Sequence, residues 1–172
     1  MAKITPEHAN CPRASFFRRI GAATYDVLVA AGILIFALIF GFIVFTIMVK
    51  SGLLSDHGYE IISDTLLAVP VYKAVWQLYL TLVIVSFYAY FWSRGGQTLG
   101  MRAWRLKVQH PNGQSLSLIT AYARVLWSLL GVGNVFMLLS PEKLSLQDKM
   151  TRSEVVILTK EANNMTSWKK AK

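Results

Sequence analysis

The chain has 172 residues and a net charge of +9, from 18 Lys and Arg against 9 Asp and Glu. Hydrophobic residues make up 54% and charged residues only 16%, whereas soluble domains carry about 25% charged residues. This excludes an ordinary soluble fold. Low charge density with a large positive excess is unusual for a nucleic-acid binder, whose basic residues cover a water-facing surface, so no nucleic-acid partner is expected. The single cysteine, Cys11, excludes an internal disulfide framework. His8, His57 and His110 are too scattered to suggest metal ligation, and no cofactor motif is present.

In chain order, a basic segment (Lys3, Arg13, Arg18, Arg19) leads into an apolar run with no formal charge from Val27 to Val49. A run of this length predicts a first membrane-spanning helix, which needs about 20 residues. It is too long for the apolar region of a cleavable signal peptide, and no small-residue cleavage site follows, so this helix is expected to stay in the mature protein. At 100° per residue, Arg19, Ala22, Asp26, Ala30, Ile33, Ala37 and Gly41 share one stripe, with Thr24, Leu28, Ile35, Ile39 and Phe42 opposite. The small, polar stripe suits helix packing, with Ala37 and Gly41 as a close-contact pair, and the bulky face suits lipid.

Asp26 lies on the packing stripe, at a cost that calls for a reason. Three readings are open: an ion pair with Arg19 or Arg124 that fixes packing, a cation or proton site, and a simply protonated acid. Arg19 shares its face, but the two are two turns apart and their side chains lean the same way, so direct contact is stretched.

The connection after the first span carries Lys50 with Asp56, Glu60 and Asp64. A second uncharged run, Ala74 to Ser93, predicts a second span, edged by Tyr72, Trp76 and Tyr79 at one end and Tyr88, Tyr90 and Trp92 at the other. Such aromatic belts mark membrane interfaces. Pro70 is expected at its start. Lys73, Gln77 and Thr81 recur every four residues, a polar strip whose lysine is read as a snorkelling side chain or a transport residue.

Beyond the second span, Trp104 to Gln109 and Ser115 to Leu118 alternate around His110-Pro-Asn-Gly113, which predicts a small β-hairpin. Val155 to Leu158 is a further short strand able to pair with it. Trp104 among Arg102, Arg105 and Lys107 reads as an interfacial anchor. The third apolar run, Val125 to Pro141, is interrupted by Ser128 and Gly131-Val132-Gly133-Asn134. Three readings of segment 119–140 therefore stay open: re-entrant, interfacial or spanning. Residues from Glu161 to Lys172 read as a loose polar tail.

The basic residues set an orientation. Arg94, Arg102, Arg105, Lys107 and Arg124 have no acid among them, and seven cations follow Glu142 against four acids counted from it. The N-terminus, the 94–124 segment and the tail are expected on the cytoplasmic side, which an even number of crossings satisfies. The fold class is thus an all-α membrane protein: two transmembrane helices, a third membrane-embedded helical segment and a small cytoplasmic β-hairpin. Its expected parts are a cytoplasmic N-terminal segment 1–18, a membrane domain 19–158 and a tail 159–172.

The order and spacing of several motifs resemble the RDD family of small bacterial membrane proteins, over about Ala14 to Leu158. Ala14 to Asp26 looks like the family's opening, which maps its arginine to Arg19 and its first aspartate to Asp26. Gly96-Gln97-Thr98-Leu99-Gly100-Met101 is similar to its Gly-Gln-Thr-x-Gly-Lys turn, with Met101 in place of lysine. Leu106-Lys107-Val108, Asn112-Gly113 and Leu116-Ser117-Leu118 follow its strand-turn-strand pattern. Leu146-Gln147-Asp148-Lys149 resembles its Leu-His-Asp-Arg segment, which makes Asp148 the second aspartate and puts Gln147 where histidine is usual, removing a proton relay there. The resemblance implies a multi-pass bacterial inner-membrane protein with a transport-related role, some members resembling cation/proton antiporters.

Two functions follow as expectations. In the first, Arg19, Asp26, Arg124 and Asp148 form a charge cluster, and a homo-oligomer moves cations, protons or a small solute with Asp26 as the protonatable site. In the second, the cluster is structural and the basic cytoplasmic face docks a partner or anionic lipid. No nucleophile–base arrangement points to an enzyme.

Overall fold

The computed structural model describes residues 11–163; Lys3, His8 and the tail beyond 163 lie outside them. The chain divides into two compact units, 1–29 with 85–172, and 30–84. Two helices are long and apolar enough to cross a membrane, α1 (Phe16–Lys50) and a later one spanning Pro70–Arg94. Both expected spans are therefore present, and the first starts eleven residues before its uncharged run.

In the 30–84 unit, α1 is followed by a loop, the short α2 (Ile62–Ala68) and the start of α3 (Pro70–Arg94). Pro70 opens α3, where its missing N–H costs nothing. The small stripe of α1 packs as expected: Ala37 is buried, while Ile35, Ile39 and Phe42 on the opposite face are exposed. Its neighbours are aromatic. A Cβ on Gly41 would fall 2.8 Å from the rings of both Trp76 and Tyr79, and Tyr79 donates its hydroxyl to the Ala37 carbonyl at 3.1 Å. Phe45, one turn on, meets Tyr72 edge-on at 5.5 Å between centroids. Outward-facing Leu, Ile and Phe side chains along α1 suit an apolar surrounding such as lipid.

The other unit holds the ends of both long helices and the rest of the chain: α4 (Leu99–Ala103), β1 (Leu106–Gln109), α5 (Leu118–Ser128), a 3-10 stretch (Leu129–Val135), α6 (Phe136–Leu139), α7 (Leu146–Met150) and β2 (Glu154–Ile157). β1 and β2 pair antiparallel, with Leu106 opposite Ile157 and Val108 opposite Val155. The other edge of β2 is taken by the N-terminal segment, where the Ala14 amide donates to the Val155 carbonyl and the Ile157 amide to that of Pro12. Ala14, Ala22, Met101, Leu106, Val108, Leu116 and Val155 form the core of this unit, with Trp92 and Trp104 packed on it.

The expected hairpin is corrected. The turn at His110–Gly113 forms, closed by the Gly113 amide on the His110 carbonyl, but residues 115–118 do not pair with β1. Instead the Ser117 hydroxyl accepts the Thr120 amide at 3.1 Å, a helix-capping bond that diverts this stretch into the start of α5. β1 takes the β-branched run near the C-terminus as its partner. Half-buried Trp104 packs on this core, with its ring against Gly21, where a Cβ would come within 2.6 Å of the indole Cε2. The tail begins docked, since the Asn163 side chain accepts from Gln97 Nε2 at 3.0 Å and donates to the Arg102 carbonyl at 3.1 Å.

Candidate functional site

The four expected charge-cluster residues separate into two sites in the same unit. At the first, Asp148 lies between two arginines: Arg19 Nη1 is 2.7 Å from Oδ2, and Arg124 Nη2 is 2.6 Å from Oδ1. Arg19 arrives from the first turn of α1, Arg124 from α5 and Asp148 from α7. All three are buried, Asp148 to 1% exposure.

A local device aims Asp148. Ser145 caps α7: its hydroxyl accepts the Asp148 amide, and Asp148 Oδ2 accepts the Ser145 amide at 3.0 Å, a reciprocal capping box. The Ser145 hydroxyl also accepts from Arg19 Nη1 at 3.2 Å. Arg124 Nη1 donates to Ser153, whose hydroxyl is 2.7 Å from that of Thr151. The Arg124 guanidinium stacks over Trp92, 5.4 Å from the ring centroid.

Burial pushes the Asp148 carboxyl up, but the charges of Arg124 and Arg19 and the Ser145 amide outweigh it and hold the group below its ordinary value. The carboxylate is ionised, so two arginines and one aspartate leave one positive charge buried. The Trp92 ring takes up part of that surplus. Arg19 Nε and Nη2 and Arg124 Nε have no acceptor among the described residues.

The second site surrounds Asp26, which forms no ion pair among the described residues. Its Oδ2 accepts the Thr98 hydroxyl at 2.5 Å and its Oδ1 accepts the Gly100 amide at 2.8 Å. Thr98 in turn caps α4, its hydroxyl oxygen accepting the Met101 amide at 3.2 Å. The Gly-Gln-Thr-x-Gly turn is thus the receptor for Asp26.

Each residue of that turn has a physical task. Gly96 adopts φ +68°, and a Cβ there would fall 2.5 Å from the Val108 carbonyl oxygen. Its own carbonyl accepts the Val108 amide at 2.7 Å, joining the turn to β1. Gln97 donates to the Leu106 carbonyl at 2.7 Å. At Gly100 a Cβ would strike the Ala22 carbonyl oxygen and fall 2.8 Å from the Asp26 carboxyl carbon, so only glycine lets α1 come this close. Met101 supplies a backbone N–H and a core side chain. The turn therefore binds its carboxylate without a lysine.

The expected union of Asp26 with Arg19 and Arg124 is corrected. Arg19 finds Asp148 and Ser145, and Asp26 finds two uncharged donors, which replace its hydration without a counter-ion. Lys73, Gln77 and Thr81 stay exposed, and the Thr81 hydroxyl bonds back to the Gln77 carbonyl at 2.8 Å. They line no interior site among the described residues of their unit. Gln147 donates to the Asn134 side chain at 2.9 Å, a structural link. Sequence reasoning missed Ser145 and Ser153, and the roles of Trp92 and Thr98. For Ser145 the signal was present, because Ser-x-x-Asp before a short helix is a capping pattern; Thr98, with Met101 three residues on, carries no such box. No group of three His, Cys, Asp or Glu positioned to hold a metal occurs among the described residues.

Two apolar spanning helices joined to a compact unit with a buried arginine–aspartate–arginine cluster define a small integral membrane protein. The chain belongs to the RDD family, whose model matches residues 13–152. No curated protein and no solved structure matches it.

Proposed function

We propose that this chain is a membrane-bound accessory or assembly protein whose arginine and aspartates are structural and whose basic face docks an acidic partner or anionic lipid. The observation that carries this reading is the closure of the motif residues on one another. Asp26 is occupied by Thr98 and Gly100, and Asp148 by Arg19, Arg124 and Ser145. The Asp26 and Arg19 bonds tie α1 to the α4–β2 region, so the motif assembles the unit that carries exposed Arg94 and half-buried Arg102 and Arg105. Near a bilayer, surface cations contribute roughly 1 kcal/mol each toward anionic lipid. By the excess of basic residues, this unit faces the cytoplasm of a bacterium, on the inner membrane, with residues 11–15 on the same side.

The second reading is cation or proton transport by a homo-oligomer with Asp26 as the protonatable site. It is favoured by one observation: Asp26 lies in a spanning helix with no basic partner among the described residues, so its charge is not locked by an ion pair.

Reconstituted vesicles separate the two. For an accessory protein, cation-dependent proton flux stays at the level of protein-free vesicles for both wild type and Asp26→Asn. Flux present in wild type and lost in Asp26→Asn would establish transport instead. In parallel, neutralising Arg102 and Arg105 is expected to abolish binding to phosphatidylglycerol-rich vesicles or recovery of a copurifying partner. Unchanged recovery of both would refute the docking role.

A further inference from the structure

Segment 118–139 is turned inside out relative to a water-facing helix. On α5 the residues toward the protein are Ala121 and Arg124, exposed 0% and 2%, whereas Ile119 is 82% and Leu126 67% exposed. Through the 3-10 stretch and α6 the pattern continues, with Val132, Leu138 and Leu139 outward. In water this would leave a continuous apolar surface uncovered while burying a charge, both costly. With acyl chains as solvent both features are favourable, because the arginine is withdrawn from lipid and the aliphatic side chains are presented to it.

The position of α5 agrees. Tyr122 hydrogen-bonds Ser86 across 2.9 Å. Ser86 belongs to the uncharged run of α3, eight residues before Arg94. At 1.5 Å per residue that is about 12 Å inside the end of the span, within the roughly 15 Å depth of one leaflet's hydrocarbon.

The path of the segment rules out a straight crossing. α5 and the stretch Gly131–Leu139 meet at 80°, with Gly131 at φ +98°, a left-handed conformation that suits glycine. Both arms then close on one five-residue helix: Arg124 pairs with Asp148, and Asn134 accepts from the neighbouring Gln147. A Cβ on Gly133 would strike Gln147 Oε1 and fall 2.9 Å from the Trp127 carbonyl oxygen, so this return is tightly packed. An eleven-residue α5 is only about 16 Å long, half of what a crossing needs.

We propose that residues 118–139 embed in a single leaflet, their outward face dissolved in its acyl chains, and leave by the side they entered. The described chain therefore crosses the bilayer twice, and residues 11–15, the 110–113 turn and the segment from Glu142 share one side. This inference rests on the membrane character of the family and holds whether the chain transports or docks.

Two measurements on the full chain in native membrane vesicles test it, with Cys11→Ser as background. Asn112→Cys and Glu142→Cys, both exposed, are labelled with a membrane-impermeant maleimide from each side in turn. Nitroxides at Leu126→Cys and Leu139→Cys report collision with oxygen against a water-soluble nickel chelate. Single-leaflet embedding expects positions 112 and 142 to label from the same side only, and both nitroxides to be accessible to oxygen and shielded from nickel. Labelling of 112 and 142 from opposite sides would mean a third crossing and overturn the proposal. Nickel-accessible nitroxides would place the segment in water and overturn it equally. All four substitutions replace exposed side chains, so loss of folding does not obscure the result.

Discussion

Asp26 accepts a 2.5 Å hydrogen bond from Thr98, a residue beyond the second long helix, and none from Arg19, its neighbour two turns back on the same helix face. The carboxylate of α1 is thus a clasp for the turn after α3. With the Gly100 amide on its other oxygen, it holds two distant parts of the chain in register.

That clasp predicts coupling. Asp26→Asn and Thr98→Val are each expected to cost about 1.5–3 kcal/mol, the range for hydrogen bonds to charged groups. Because they break one interaction, the double variant should lose clearly less than the sum. Denaturant titration in detergent micelles checks this, and strict additivity would show that the bond contributes nothing.

Gly100 sets the distance of the clasp. Gly100→Ala is expected to cost about 1–3 kcal/mol through overpacking against the Ala22 carbonyl. Gly32, which has nothing within 4 Å of a built Cβ, is the matched control, and Gly32→Ala should be neutral or mildly stabilising. Equal effects at both positions in thermal unfolding would contradict the close approach.

The Arg19–Asp148–Arg124 cluster behaves differently, because its members are charged and buried. Removing the anion by Asp148→Asn leaves two unpaired guanidinium groups and is expected to cost about 3–5 kcal/mol. Adding Arg19→Met to that variant should recover part of the loss, since it removes one of the stranded charges. Thermal unfolding of the three proteins tests this; a double variant less stable than Asp148→Asn would mean that Arg19 serves some other contact.

The same carboxylate gives an acid limb. Asp148 ionises at lower pH folded than unfolded, despite its burial. Its contribution is complete above the unfolded value of about 3.9 and is lost as pH falls through the lower folded value. Stability should therefore decline on acidification below about pH 4, with a shallower slope in Asp148→Asn. Identical slopes would assign the decline to other carboxyl groups.

Much of the architecture was legible from residue spacing. The two spans follow from uncharged runs long enough for a bilayer, and the buried stripe of α1 from 100° steps, because both depend on local geometry and on lipid as solvent. The hairpin was misread because two local signals compete at Ser117, strand alternation and helix capping. Capping prevails once a more β-branched partner for β1 is available in Val155-Val156-Ile157.

By itself the sequence determined the membrane class, the family resemblance and the candidates Arg19, Asp26, Arg124 and Asp148, but not the buried Glu154, which pairs with Arg13. Only the tertiary structure decided which charge meets which. Asp26 and Arg19 share a helix face, yet their side chains lean in the same direction two turns apart. Asp148, aimed by Ser145 on α7, reaches both arginines, and Thr98 and Gly100 reach Asp26. Those distances depend on how α1, α3, α5 and α7 close around one another, and periodicity along a single helix carries no information about that closure.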